Sequence, residues 1–261
     1  MKKDEVIYFS DELNDDFGSA NLKRKKIDKN YKYESKNPFY NFFGFLTYNL
    51  IAKPITWFCF TFVRGVKYKN KKVLKQAKKS GYFIYANHTD GLSDCLSPAM
   101  ICNPVKPRVI VNSANLSMPV LGFWLKNWGA LPLPDDVAAT KNFYSAIEHT
   151  LNKNAPIVIY PEAHLWQYYT GIRPFTSLSF RYPVKYNKPV FTFTTTYHKR
   201  KFSKKPRLTI YVDGPFYPDV NLPVKEQQQA LRDVCFNQMQ ERAKLNTYEY
   251  VKYIKKEKTN D

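Results

Sequence analysis

Apolar and polar positions divide the chain into three regimes. Residues 1–36 are polar and switch from acidic to basic at Lys23-Arg24-Lys25-Lys26. Residues 38–63 (PFYNFFGFLTYNLIAKPITWFCFTFV) are almost continuously apolar, with ten aromatics and a single charge, Lys53. From residue 67 onward, short apolar runs alternate with amphipathic ones. GYFIYA (81–86), RVIVN (108–112), ALPL (130–133), PIVIY (156–160), VFTFTTT (190–196) and LTIYV (208–212) read as strands. Segments 71–79, 91–101, 116–128 (broken by Pro119), 141–152 and 224–243 read as helices. Phe143, Ile147 and Leu151 recur at i, i+4, i+8, and Leu231, Val234 and Cys235 share one side of the last helix. This alternation predicts an α/β fold, a mixed central sheet with helices on both faces.

The same pattern sets the expected boundaries. Residues 1–36 read as a flexible charged arm, 37–66 as a membrane-associated helical segment, 67–250 as the α/β domain and 251–261 as a basic tail. A spanning helix needs about 20 apolar residues. Lys53-Pro54 divides the apolar stretch into pieces too short to span, and its aromatic richness suits a membrane interface. The expectation is an N-terminal helical hairpin dipping into one leaflet, with Arg64, Lys67, Lys69, Lys71 and Lys72 at headgroup level. A single tilted spanning helix and a buried soluble hairpin are the alternatives.

Composition sharpens this picture. The chain has 261 residues and a net charge of +19, unevenly spread: residues 1–19 carry −4. The excess beyond them calls for anionic partners. Nucleic acid is disfavoured, because the aromatics concentrate in one apolar stretch instead of interleaving with cations. The 44% hydrophobic content excludes a mostly disordered chain. Four cysteines without CxxC spacing suggest a reducing compartment, and no secretory leader is visible.

Two strand ends carry reactive groups, where α/β sheets gather their chemistry. Asn87-His88-Thr89-Asp90-Gly91-Leu92-Ser93-Asp94 follows the first strand, and Pro161-Glu162-Ala163-His164 follows PIVIY. A neutral imidazole can take a proton from a hydroxyl attacking an acyl carbon, provided a carboxylate holds its other nitrogen. Asp94, in the first turn of a helix beginning near Gly91, is the expected orienter of His88. Asp90 is the expected helix cap, with the reverse assignment open.

This ordered set resembles the glycerolipid acyltransferases, including bacterial lysophosphatidate acyltransferase. Their Asn-His-x4-Asp motif corresponds to Asn87-His88…Asp94, here one residue longer. Their second motif corresponds to Gly129–Asp135, their Pro-Glu-Gly-Thr-Arg motif to Pro161-Glu162-Ala163-His164, and their fourth to Lys188-Pro189-Val190-Phe191. The family's phosphate-gripping arginines are missing, with Asp135 and Leu165 in their places.

The resemblance implies an O-acyltransferase of phospholipid biosynthesis. The donor would be acyl-CoA or acyl carrier protein, the acceptor a lysophospholipid or related lipid, with no metal and no further cofactor. It would work on the cytoplasmic face of the cell membrane, peripherally or monotopically, with an anionic surface as partner. His88 would be the base and Asp94 its orienter. Glu162 would hold the acceptor's head, with His164 either bonding that head or supporting the site from behind, and Arg173 would hold its phosphate, Arg108, Lys126 and Arg181 being weaker choices. Backbone N–H groups near Gly129 or at the strand ends would serve the oxyanion, Asp90 would lie beside the substrate, and Tyr168 and Tyr169 would line the entrance.

Three rival readings are kept. An ester or thioester hydrolase would use Ser93 or Cys95 as nucleophile. A metal-dependent hydrolase would use His88, Asp90, Asp94, Glu162 and His164. A lipid-binding module of the same fold would bind without turnover.

Overall fold

The computed structural model describes residues 1–18, 24–119 and 121–256. Strand β1 (Glu5–Phe9) opens the chain. A helical run follows: α1 (Pro38–Leu46), a π-helical stretch Thr47–Ala52, α2 (Lys53–Phe58) and a second π-helical stretch Cys59–Val63. Next come β2 (Lys67–Lys69), a 3₁₀ helix (Lys71–Ala77), β3 (Tyr82–Ala86), α3 (Gly91–Ile101) and β4 (Arg108–Val111). A second 3₁₀ helix (Ser113–Ser117), α4 (Leu121–Trp128), β5 (Ala130–Pro132), α5 (Val137–Asn152) and β6 (Pro156–Ile159) lead to a third 3₁₀ helix (Ser177–Phe180). The chain ends with α6 (Arg181–Tyr186), β7 (Val190–Arg200), β8 (Ser203–Phe216), α7 (Val224–Ala243) and β9 (Val251–Lys255).

Seven strands form a mixed sheet in the order β2-β8-β7-β3-β6-β4-β5. Only β7 and β8 are antiparallel neighbours. β3 lies in the middle and all five of its residues are buried. Its alternating side chains reach two cores. Tyr82, Ile84 and Ala86 join Leu74, Ala77 and Ile101 on one face. Phe83 and Tyr85 join Phe143, Ile147 and Leu151 of α5 and Leu231 and Cys235 of α7 on the other. Val234 stands 47% exposed, because α7 buries a narrow i, i+4, i+8 line of Leu231, Cys235 and Met239.

The apolar stretch differs from the expected hairpin. The chain stays helical through Lys53-Pro54, without a turn. Proline has no N–H to give and crowds the preceding turn. The π-helical stretch before it widens the helix there: Lys53 N–H reaches back five residues to Tyr48 O. Most of the run's large side chains, including Phe39, Phe45, Leu50, Trp57 and Phe62, face outward and are exposed. No helix among the described residues is long and apolar enough to cross a membrane.

The two ends are not loose. β1 pairs in parallel with β9, from Glu5 opposite Val251 to Phe9 opposite Lys255. The strand signal is present in Glu5–Phe9 (EVIYF), a β-branched and aromatic run that the surrounding acids obscure. Phe9 and Phe17 close on Trp166, at centroid distances of 4.9 and 5.2 Å, and Tyr253 stacks on it at 5.0 Å. Ile27 and Tyr33 are buried in the α5/α7 core. The segment expected as a free arm is thus packed over its described parts, and so is the start of the expected tail. Residues 19–23 and 257–261 lie outside the described residues. Phe9→Ala should lower the unfolding free energy by about 3 kcal/mol, read from the urea midpoint; a loose arm would leave the midpoint unchanged.

Candidate active site

β3 delivers His88 through a short chain of fixed steps. Beyond Ala86 the Asn87 amide replaces one rung of the ladder to β7: it donates to Thr195 O (3.1 Å) and accepts Thr195 N–H (2.8 Å). Asp90 then caps α3, accepting Ser93 N–H at 2.9 Å. Asp94, one turn into α3, turns back. Its Oδ2 meets His88 Nδ1 at 2.8 Å and accepts Asp90 N–H at 3.0 Å. The extra residue between His88 and Asp94 is absorbed by this first helical turn. Among the described residues no hydrogen-bonding group engages His88 Nε2, and the His88 side chain is 23% exposed.

Three further residues hold this pair, and sequence reasoning assigned none of them to it. Tyr160, the last residue before Pro161, lies with its ring 4.8 Å from the His88 ring and donates its hydroxyl to Asp94 O at 2.5 Å. Its place was inferable from its position at the end of PIVIY. Arg64, expected at headgroup level, turns inward at the end of the helical run and grips both oxygens of Asp90. That bond keeps Arg64 firmly protonated even though burial works against its charge. Arg200 caps the same helix end by donating to Val63 O at 2.7 Å. The apolar run is therefore tied directly to the cap of α3.

The second strand end locks onto the first. Glu162 Oε2 accepts His88 N–H at 3.0 Å, and Oε1 accepts Arg173 N–H at 3.1 Å. Trp166 N–H donates to His88 O (3.2 Å) and Tyr168 N–H to Thr89 O (2.8 Å). His88 is thus held by its N–H and its C=O from the same loop. Ala163 takes the left-handed φ of +63° within that loop. A glycine would adopt this φ freely, which explains why the related motif has one there. Burial pushes the carboxyls of Asp94 and Glu162 upward, and their bonds to His88 and Arg173 hold the rise back.

Several expected substrate contacts lie elsewhere. Glu162 is buried, accepts the backbone N–H groups of His88 and Arg173 and lies 3.7 Å from the Arg173 guanidinium, so it positions His88 instead of facing an acceptor. Arg173 is fully buried: its guanidinium lies 4.9 Å from the Trp166 ring and donates to the carbonyls of Glu162, His164 and Glu12. No phosphate in solvent can reach it. Tyr168 packs on Tyr197 and Tyr250, and Tyr169 on Trp166 and Tyr253, away from any entrance.

Gly129 is in the wrong place for an oxyanion. Strand register sets it level with Phe83, five residues short of His88, about 16 Å along the strands. Its φ of +112° serves a close approach, since a Cβ there would meet Pro107 O at 2.4 Å. Arg108, at the start of β4, lies at the same far end of the sheet.

At the His88 end of the sheet the N-terminal segment also contributes side chains. His164 Nδ1 lies 3.2 Å from Asp16, and its side chain is 36% exposed. Arg24 pairs with Asp135 (2.8 Å) and donates to Ser113 Oγ (3.0 Å), just beyond β4 and β5. Asp135 stands where the related motif has an arginine, and Arg24 restores a cation beside it. Among the described residues no group of His, Cys, Asp and Glu could hold a metal ion. Of the five side chains of the metallohydrolase reading, His88 and Asp94 bond each other, while Asp90 meets Arg64, Glu162 meets backbone N–H groups and Arg173, and His164 meets Asp16.

The comparisons fit this geometry. No curated protein matches the sequence. The crystal structure of the 1-acyl-sn-glycerophosphate (LPA) acyltransferase PlsC from Thermotoga maritima shares the fold, with a TM-score of 0.55 at 17% identity, over 80% of this chain and 89% of that one. The acyltransferase family model matches residues 65–196, which span β2 through most of β7 and contain both strand-end motifs. With half of its length matched by that model and its motifs in the family's order, the chain belongs to the glycerolipid acyltransferase family.

Proposed function

We propose that this protein transfers a fatty acyl group from an acyl thioester, on coenzyme A or acyl carrier protein, to a hydroxyl of a lysophospholipid or related lipid. The observation that carries this reading is the His88–Asp94 pair, with Nδ1 bound to a carboxylate and Nε2 open. Asp94 holds the proton on Nδ1, so Nε2 presents its lone pair. The acceptor hydroxyl gives its proton to Nε2 as its oxygen bonds to the acyl carbon. The carbon–sulfur bond then breaks, and the imidazolium returns the proton to the departing thiolate. No acyl-enzyme forms, so no Ser or Cys nucleophile is required.

The rest of the site follows from position. Glu162, Tyr160 and Arg64 are positioning residues, acting through His88, Asp94 and Asp90. Arg24, paired with Asp135 and Ser113 beyond β4 and β5, is the cation this reading assigns to an acidic acceptor head. The exposed aromatic helical run would seat the enzyme peripherally on the cytoplasmic face of the cell membrane, bringing the lipid to His88.

The hydrolase reading needs a nucleophile within reach of Nε2. Ser93 is buried with its hydroxyl unpartnered, one turn inside α3, and makes no bond to His88. The two readings separate in one assay, with labelled acyl-CoA or acyl carrier protein and a panel of lysolipids. Transfer should fall by about 10³-fold or more in His88→Ala and persist in Ser93→Ala and Cys95→Ala. Hydrolysis without transfer, lost in Ser93→Ala or Cys95→Ala, would reverse the assignment.

Asp94→Asn should lower kcat/KM by about 10³-fold, because an amide leaves His88 in the wrong tautomer. It also has a signature in stability. The raised carboxyl of folded Asp94 keeps its proton where the unfolded chain has lost it. Wild-type stability therefore declines as pH rises from the ordinary carboxylate range through the raised value, then levels off. Asp94→Asn lacks that decline, so urea midpoints should shift in its favour across the same window. Phe58→Glu with Phe62→Glu should cut co-sedimentation with anionic vesicles by about tenfold or more at unchanged circular dichroism; undiminished binding would remove the helical run from the membrane contact.

A further inference from the structure

A cavity of about 370 Å³ lies away from His88, where the helical run passes the N-terminal ends of the sheet strands. That is room for a small polar ligand. Five cations line it from separate elements: Lys53, Lys106, Arg108, Lys126 and Lys153. Glu34 is the one carboxylate among its lining residues.

The cations are arranged as though a counter-ion were due. Arg108 is 8% exposed, yet only one guanidinium nitrogen finds a charged partner, Glu34 at 2.6 Å. Its Nε and other terminal nitrogen are buried and have no hydrogen-bond partner among the described residues. Leaving such donors unpaired costs about 1–3 kcal/mol or more. Among the described residues Lys53 and Lys106 meet neutral groups, Asn103 Oδ1 at 3.0 Å and Asn127 O at 2.8 Å, and both ammoniums lie over the Tyr48 ring at 5.1 and 5.6 Å. Lys126 has its ammonium 5.5 Å from the Tyr31 ring. Burial and the neighbouring charges of Arg108, Lys153 and Lys53 push the Lys106 ammonium down to about 8, against the pull of Glu34. The crowd of like charges therefore already weakens its own members.

We infer that this cavity is a binding site for a phosphate group, separate from the His88 centre. Donors converging from the helical run, from β4 and its preceding loop, and from α4 suit a tetrahedral, multiply charged anion better than a single carboxylate. The site cannot hold the phosphate of a small acceptor reacting at His88. It is about 16 Å away along the strands and two strands across, in the order β3-β6-β4. Phe45 lines the cavity and is 63% exposed on the aromatic face of the run. A lipid phosphate could occupy the cavity with its chains along that face, and a free phosphate would make the same contacts.

The test uses the full-length protein and two titrations. One follows inorganic phosphate by calorimetry. The other compares sedimentation with phosphatidylcholine vesicles that contain or lack phosphatidate. Lys106→Gln/Lys126→Gln removes two cavity charges, and Lys78→Gln/Lys205→Gln removes two exposed charges elsewhere, so net charge is matched. The cavity pair should weaken phosphate binding, phosphatidate preference or both by about tenfold, while the control pair changes each less than about twofold. His88→Ala should bind like wild type, which separates this site from the acyl-transfer reading. Loss of the phosphatidate preference alone, or with loss of free-phosphate binding, assigns a lipid headgroup; loss of free-phosphate binding alone assigns a soluble phosphate. Equal behaviour of the two pairs in both titrations, or no binding of either probe, would overturn the inference.

Discussion

One buried carboxylate organises the His88 end of this molecule. Glu162 accepts the N–H of His88 with one oxygen and the N–H of Arg173 with the other. A carboxylate out of water is costly unless its lone pairs are filled. Here the filling donors belong to two different segments of chain, so satisfying Glu162 fixes His88 against the loop that follows β6. Arg173 adds a third tie, because its guanidinium gathers the carbonyls of that loop and rests on Trp166. The same residues that resemble substrate contacts in the linear sequence are thus the frame around His88.

The frame extends to both chain ends. Trp166 is covered by Phe9 and Phe17 from the start of the chain and by Tyr253 from its end. The β1–β9 pair holds those aromatics in place. On the other side, Arg64 connects the exposed helical run to Asp90, and Asp90 and Asp94 share the first turn of α3. The helical run is thus linked to the His88–Asp94 pair by one ion pair and one helix cap.

Much of this was legible in the sequence. The fully apolar strands β3 and β6 and the 3.6-residue rhythm of α5 fixed the α/β class, because burial on both faces of a sheet leaves no polar positions. His88, Asp94 and Asp90 were readable because they are local: a strand end, a cap and a first turn lie within seven residues. What the sequence hid is long-range. Nothing near Arg173 says that Trp166 and Glu162 will enclose its charge, and nothing near Gly129 says that it sits at the far end of the sheet. Polar composition masked β1, whose pairing partner is more than 240 residues away. Pro54 reads locally as a break, and only the helical geometry shows a π-helical stretch accommodating it.

The central claim is that Asp94 fixes the His88 tautomer so that Nε2 is the base. Nitrogen-15 NMR of histidine-labelled protein at neutral pH reads this directly, with His88→Ala assigning the signal. The account predicts a protonated Nδ1 and an unprotonated, substrate-accessible Nε2 that changes when an acceptor lipid is added. A proton on Nε2 with a bare Nδ1, unchanged by acceptor, would contradict it.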